Sequence, residues 1–214
     1  MSAAVAIVDY GVGNLFSVAR ALEHCGATVS MAGDAASILA APRLILPGVG
    51  AFANGMQELA SRGLEAPIRD YCASGRPFFG ICLGMQLMFD RSEEFGDWPG
   101  LGLLPGVVRA IPPVGTDGVP HKVPHIGWNG LRAGSADWSG SVLDGVAQGS
   151  TVYFVHSYAV HPADPSHRVA DADYDGQAIC AVVRRGNLHG CQFHPERSGE
   201  TGLAIVRNFL RLPS

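Results

Sequence analysis

Three residues of types that together can split an amide stand at positions 82, 194 and 196, namely Cys82, His194 and Glu196. Cys82 lies in Gly80-Ile81-Cys82-Leu83-Gly84, inside the longer stretch from Pro77 to Phe89. The apolar run after Pro77 reads as a buried strand and Leu83 to Phe89 has the apolar spacing of a helix, so the cysteine falls on the corner between them. A strand that turns sharply into a helix holds its corner side chain out of the sheet. This is the nucleophile elbow, written here with cysteine in place of serine. The first N–H groups and the positive end of the following helix would face the sulfur and favour its anion. The competing reading is a buried structural cysteine, since a free Cys behaves as a small hydrophobe. Glycines two residues to either side count against that reading.

The second site is Phe193-His194-Pro195-Glu196, at the end of an apolar stretch. Side chains two apart on an extended backbone point the same way, so the pattern predicts that His194 and Glu196 project together. A histidine becomes a competent base or acid for a thiol when a carboxylate fixes its tautomer and orientation. A third feature, Pro47-Gly48-Val49-Gly50, has two glycines that free the backbone to turn its N–H groups. In a parallel sheet the loops that follow the strands share one edge, so this loop is expected beside Cys82 as an oxyanion donor.

The elements that must position these groups alternate. Ala4 to Val8 reads as a strand, Asn14 as the cap of a helix ending at Gly26, and Thr28 to Ala32 as a second strand. Asp34 caps a short helix, and Arg43 to Leu46 makes a third strand. Residues 51 to 75 read as one or two helices, with Pro67 at a break or in a first turn. Such alternation predicts an α/β fold, a single domain with a central, mostly parallel sheet flanked by helices. Beyond Asp90 the pattern weakens, with Gly106 to Ile111 a possible strand and His121 to Asn129 extended. Thr151 to Val155 reads as a strand. Gln177 to Val183 and Leu188 to Phe193 read as an antiparallel pair turning at Arg185-Gly186-Asn187, so an antiparallel region is expected in the C-terminal half. A last helix, Gly202 to Leu210, is expected to turn Leu203, Val206, Phe209 and Leu210 to the sheet.

Composition excludes several classes. The 214 residues are 47% hydrophobic and 16% charged, enough for one large core, and the net charge of −4 offers no basic field for nucleic acid. The five cysteines form no CxxC pair, which fits a reducing compartment rather than a disulfide framework. The stretch from Met1 to Asp9 lacks a basic n-region and is too short for a signal peptide or a membrane span. A cytoplasmic protein without membrane association is expected. Gly11-Val12-Gly13-Asn14 tempts a dinucleotide fingerprint, but Phe16 occupies the third glycine position, so no nucleotide cofactor is expected. His121 and His125 are not expected to hold a metal, because Pro124 argues against the helix that would put them on one face.

The elbow and the late His-Pro-Glu, in this order, resemble the class I glutamine amidotransferase family. Within it the chain looks most like the glutaminase subunits of imidazole glycerol phosphate synthase. The resemblance is carried by 9-DYGVGNL-15, 46-LPGVGAF-52, 80-GICLGMQ-86, 123-VPHIGWN-129, 153-YFVHSY-158 and 192-QFHPERS-198, which span nearly the whole chain. It departs at Arg197, where lysine is common, and at Ser157, where threonine is. The resemblance implies one type 1 glutaminase domain over residues 1–214, with Cys82 as nucleophile, His194 as general acid/base and Glu196 as its orienting carboxylate. It implies oxyanion donors from Leu83 and the Gly48-Val49-Gly50 loop, and L-glutamine held by Gln86, His156, Ser157 and Tyr158. No cofactor and no metal are implied. Ammonia freed into water would be protonated and diluted, and the chain has no phosphate-binding loop or eightfold strand repeat of its own. The implied partner is therefore a barrel-fold cyclase subunit in a heterodimer, with Asn14, Trp128, Tyr153 and Arg197 at the interface by analogy. Three alternatives stay open on the residues alone: the glutaminase of a different synthase, a cysteine hydrolase with the same triad, and a non-catalytic interaction module whose elbow is vestigial.

Overall fold

The computed structural model describes residues 3–213; Met1 and Ser2 of the N-terminal stretch read above, and Ser214, lie outside it. In chain order the elements are β1 (Ala4–Val8), α1 (Leu15–His24), β2 (Thr28–Ala32), α2 (Ala35–Ala40), β3 (Leu44–Gly48), α3 (Phe52–Ser61), α4 (Glu65–Ala73) and β4 (Phe78–Cys82). They continue with α5 (Leu83–Leu87), β5 (Phe89–Ser92), β6 (Trp98–Pro99), β7 (Leu104–Ala110), β8 (His125–Ala133), β9 (Thr151–His156) and β10 (Tyr158–Pro162). The last are β11 (Arg168–Tyr174), β12 (Gln177–Arg185), β13 (Leu188–Cys191) and α6 (Gly199–Arg211), with single 3-10 turns at Pro165–His167 and Pro195–Arg197.

Nine strands form one sheet in the order β2-β1-β3-β4-β13-β12-β11-β8-β9. From β2 to β13 every pairing is parallel, and from β13 to β9 every pairing is antiparallel. The parallel half follows from the period-2 pattern of its strands, which are apolar on both faces. Ala6, Val8, Leu44, Leu46 and Phe78 face α2 to α5, whereas Val5, Ile7, Ile45, Phe79 and Ile81 face α1 and α6. Caps act where the sequence places them. Asn14 Oδ1 accepts from the Ser17 N–H at 3.3 Å, and Asp34 and Ser37 form a reciprocal capping box. Pro67 sits in the first turn of α4.

Three expectations are corrected. The helix after Cys82 ends at Leu87, not Phe89, because the carbonyls of Leu87, Met88 and Phe89 accept from N–H groups of Leu101 to Leu104, and Phe89 pairs with Leu104. That pairing builds a second, four-stranded sheet, β10-β7-β5-β6, which the weak pattern beyond Asp90 did not reveal. On α6, Ile205 is fully buried against the sheet and Leu203 only half-buried, since α6 begins at Gly199 and its apolar stripe is rotated accordingly.

Of the buried histidines, His125, His156 and His189 have pKa values that burial holds down to about 4, 3 and 4. Their unfolded value is near 6.5, so on acidification the unfolded chain takes up protons that the fold refuses. The stability gained by keeping them neutral is complete above about pH 6.5 and is lost as pH falls towards 4 and 3. Denaturation midpoints are expected to fall from pH 7 to 5, by up to about 1.4 kcal/mol per pH unit for each histidine. His189→Gln is expected to flatten that slope by one proton, and an unchanged slope would contradict the assignment.

Candidate active site

Cys82 occupies the corner between β4 and α5 with φ 54° and ψ −113°, a left-handed conformation costly for a residue with a Cβ. Its neighbours allow the tight turn. A Cβ on Gly80 would lie 2.8 Å from the Gly84 carbonyl oxygen, and one on Gly84 would lie 1.8 Å from the Leu46 carbonyl oxygen. The two glycines thus let α5 fold back onto β4 and β3. Glycine 48 pairs with Cys82 across the β3–β4 ladder, which brings the following loop to the sulfur's edge of the sheet. Tyr10, fully buried, donates its hydroxyl to the Pro47 carbonyl at 2.8 Å and so anchors that loop from below. Burial, with the Cys82 charge second, pushes the Tyr10 phenol well above its ordinary range, so it remains a donor.

His194 Nδ1 and Glu196 Oε1 are 2.8 Å apart, and both side chains are buried. They meet, as the sequence predicts, but for another reason: β13 ends at Cys191, and Pro195–Arg197 form a 3-10 turn that folds Glu196 back onto the imidazole. Ser198 locks this turn, donating to the His194 carbonyl at 2.6 Å and accepting from the Tyr153 N–H at 3.0 Å. His194 Nε2 is buried and carries no hydrogen bond. Burial is the largest influence on this ring and opposes its charge. The adjacent Cys82 and Glu196 together outweigh it and raise the pKa to about 10. A cationic imidazole between a thiol and a carboxylate is the state needed to stabilise a sulfur anion and then deliver a proton.

A cavity of about 240 Å³ opens on the sulfur, lined by Val49, Gly50, Cys82, Leu83, Gln86, Glu94, Val155, His156, Ser157, Tyr158 and His194. The structure therefore gathers the elbow, the glycine loop and the His156 to Tyr158 segment around one space. The N–H of Leu83 is the first of α5, beside the sulfur. Glu94 was not foreseen: it lies in the patternless stretch after Asp90, and its place on the wall depends on the second sheet. Its Oε2 accepts from the Phe52 N–H at 2.6 Å, at the start of α3. Three of the four expected interface residues form one surface cluster. Trp128 meets Tyr153 edge-on at 6.1 Å, and the Arg197 guanidinium lies 4.9 Å over the Tyr153 ring. The fourth, Asn14, is exposed and caps α1. His121 and His125 take separate partners, His121 with Asp175 and His125 with His156.

A parallel sheet with a strained cysteine at one strand end and a carboxylate-paired histidine beside it carries the groups of a hydrolase that works through a cysteine nucleophile. The chain belongs to the class I glutamine amidotransferase family, whose model, described as "Glutamine amidotransferase class-I", matches residues 6–212. Among relatives, imidazole glycerol phosphate synthase subunit HisH 1 of Legionella pneumophila (strain Lens) is 51% identical over 210 residues, covering 97% of this chain and 99% of its own. The subunit HisH of Rhodopirellula baltica is 48% identical over 211 residues, covering 98% of each chain. A solved structure of PurLQS from Thermotoga maritima superposes with a TM-score of 0.73 at 21% identity over 98% of each chain, a likeness of fold.

Proposed function

We propose that this chain is the glutaminase subunit of an imidazole glycerol phosphate synthase, hydrolysing L-glutamine and passing the ammonia to a cyclase subunit that forms imidazole glycerol phosphate and the aminoimidazole carboxamide ribotide. The observation that carries the reading is the corner cysteine facing a buried His194–Glu196 pair across a cavity closed by the glycine loop. Near-full-length identity of about half to HisH subunits supports the choice of synthase. We read residues 1–214 as one glutaminase domain. The five free cysteines support a cytoplasmic setting, and among the described residues no helix is long and apolar enough to cross a membrane.

In this reading the Cys82 sulfur anion attacks the side-chain amide carbon of glutamine. The oxyanion is held by the Leu83 N–H and one from the Gly48-Val49-Gly50 loop, and His194, held by Glu196, protonates the departing ammonia to leave a thioester. Water activated by His194 then releases glutamate and restores the thiol. Gln86, His156, Ser157 and Tyr158 hold the substrate. Trp128, Tyr153, Arg197 and Asn14 face the cyclase.

Glu94 is the cavity wall's only carboxylate among the described residues, and we assign it to the substrate's α-ammonium group. Glu94→Gln is expected to raise the KM for glutamine roughly 10- to 100-fold with a smaller effect on kcat, since a charged hydrogen bond is lost. A KM within twofold of wild type would remove Glu94 from substrate recognition.

The reading as a whole is tested by glutamine turnover with and without the cyclase. The glycines of the 47–50 loop permit an inactive peptide orientation, so the isolated chain is expected to hydrolyse glutamine poorly and to be activated by its partner. Full activity in the single chain would count against partner control. Turnover of esters or peptides, with no glutaminase activity in the complex, would point to a cysteine hydrolase.

A further inference from the structure

A buried polar chain runs from β8 to the Cys82 sulfur, and each of its links has a determined direction. The Gly130 N–H donates to Asn129 Oδ1 at 2.8 Å, while Asn129 Nδ2 donates to the Asp173 carbonyl at 2.5 Å, which fixes the orientation of the amide. Its nitrogen lies 3.4 Å from His125 Nε2. At the other ring, His156 Nδ1 is 2.8 Å from the Tyr158 carbonyl, an acceptor only, so Nδ1 carries the proton and Nε2 is bare. That bare nitrogen lies 3.1 Å from His125 Nδ1, which is then the donor. Burial keeps both rings neutral, so each has a single N–H to place.

The Tyr158 carbonyl also accepts from Gln86 Nε2 at 3.0 Å, and the same amide donates to Gln192 Oε1 at 3.0 Å. Gln192 Nε2 donates in turn to Cys82 Sγ at 3.7 Å. Gln192 is fully buried, and the β4–β13 register, Ile81 opposite Cys191, sets it directly across from Cys82. At the opposite end, Ile126 and Trp128 of β8 are each 57% exposed.

We propose that this hydrogen-bond chain, from Asn129 through His125 and His156 to the Tyr158 carbonyl and on through Gln86 and Gln192, orients the nucleophilic sulfur, and that His125 and Gln192 are its positioning residues. The proposal rests on the glutaminase reading for its kinetic consequence. A shift of β8 is passed by His125 and His156 to the Tyr158 carbonyl, and from there by Gln86 and Gln192 to the sulfur. The two arms meet at the Tyr158 carbonyl, which accepts from His156 Nδ1 on one side and from Gln86 Nε2 on the other, so loss of a donor in either arm is felt at that shared acceptor.

The first test is spectroscopic. In the full chain labelled with ¹⁵N-histidine, long-range ¹H–¹⁵N spectra at pH 7 are expected to show His125 and His156 both as neutral Nδ1–H tautomers. Either ring found protonated on Nε2 overturns the chain. The second is kinetic, in the complex with the cyclase. His125→Phe keeps a ring between Phe154 and Tyr174, which flank His125 at 4.8 and 4.1 Å, and removes the donor. Gln192→Met keeps the length and removes the bond to sulfur. Each is expected to lower kcat about tenfold with little change in KM, and the double variant to lose about the same tenfold, because both break one chain. Losses that multiply to about a hundredfold overturn the proposal.

Alkylation of Cys82 by iodoacetamide, without glutamine or cyclase, is expected to slow severalfold in both single variants. An unchanged rate in either, with the fold intact by thermal unfolding, also overturns it. If the tautomers and alkylation behave as expected while the wild-type complex hydrolyses no glutamine, the glutaminase reading fails and the positioning chain stands.

Discussion

Replacing Cys82 by alanine is expected to lower glutamine hydrolysis by the synthase complex by a factor on the order of 10⁴ or more, to the level left by binding and oxyanion stabilisation alone. The size of the effect follows from the site's construction. Cys82 is the only thiol on the cavity wall among the described residues, and His194, with Glu196 on its Nδ1, directs its free Nε2 to no other group. The small side chain leaves the corner and the packing of β4 in place, so the variant is expected to bind glutamine and the cyclase normally. Ammonium salt at alkaline pH is expected to restore cyclisation, because the acceptor chemistry needs free ammonia and not the thiol. Measurable glutamine-dependent turnover in Cys82→Ala, above about one part in a hundred of wild type, would show that another group performs the attack.

The second large effect concerns folding. Gly84→Ala adds a single methyl group, yet its Cβ would stand 1.8 Å from the Leu46 carbonyl oxygen and 2.7 Å from the Leu46 carbonyl carbon. Both are backbone atoms of β3, itself held in the ladder between β1 and β4, so neither can rotate aside as a flexible side chain would. The helix must lift off the sheet, which moves the corner carrying Cys82. A loss of more than about 3 kcal/mol is expected, read as a fall in Tm of at least about 6 °C. Gly75→Ala is the natural control for an exposed glycine, with φ 82° and nothing within 4 Å of its added Cβ. A loss at Gly84 no larger than the strain cost at Gly75 would show that α5 and β3 yield to the added methyl group and that the clash does not set the cost.

Much of the site was legible because its chemistry sits in short local patterns. The corner at Cys82 is announced by glycines at fixed offsets, and the turn at Pro47 to Gly50 by glycines after an apolar strand. The pairing of His194 with Glu196 was legible as proximity, but its cause was not: alternation along a strand suggested it, and a 3-10 turn pinned by Ser198 produces it. Glu94 was illegible because it reaches the cavity only through β5 and β6, whose short, mixed-polarity strands have no independent signal and form by pairing with each other and with β7, the strand read as Gly106 to Ile111. The same holds for β11, where Asp171 and Asp173 interrupt the apolar run and the strand is specified by its neighbours β8 and β12. The link between His125 and His156 joins positions 31 apart and exists only once β8 and β9 are in register.

The sheet changes from parallel to antiparallel at β13, which lies beside β4, so the sulfur stands at the end of one strand and the imidazole just past the end of its neighbour. The imidazole's place is set by the turn after β13 and by β9, whose Tyr153 carbonyl accepts from the His194 N–H and whose Tyr153 N–H donates to Ser198. Reshaping of the outer strands β8 and β9 by an associating subunit therefore reaches both the imidazole and the sulfur. The outer strands and the peptide groups of Gly48 to Gly50 that receive the negative oxygen are then two separate handles on the reaction, and laboratory evolution towards an unthrottled catalyst has both to work on.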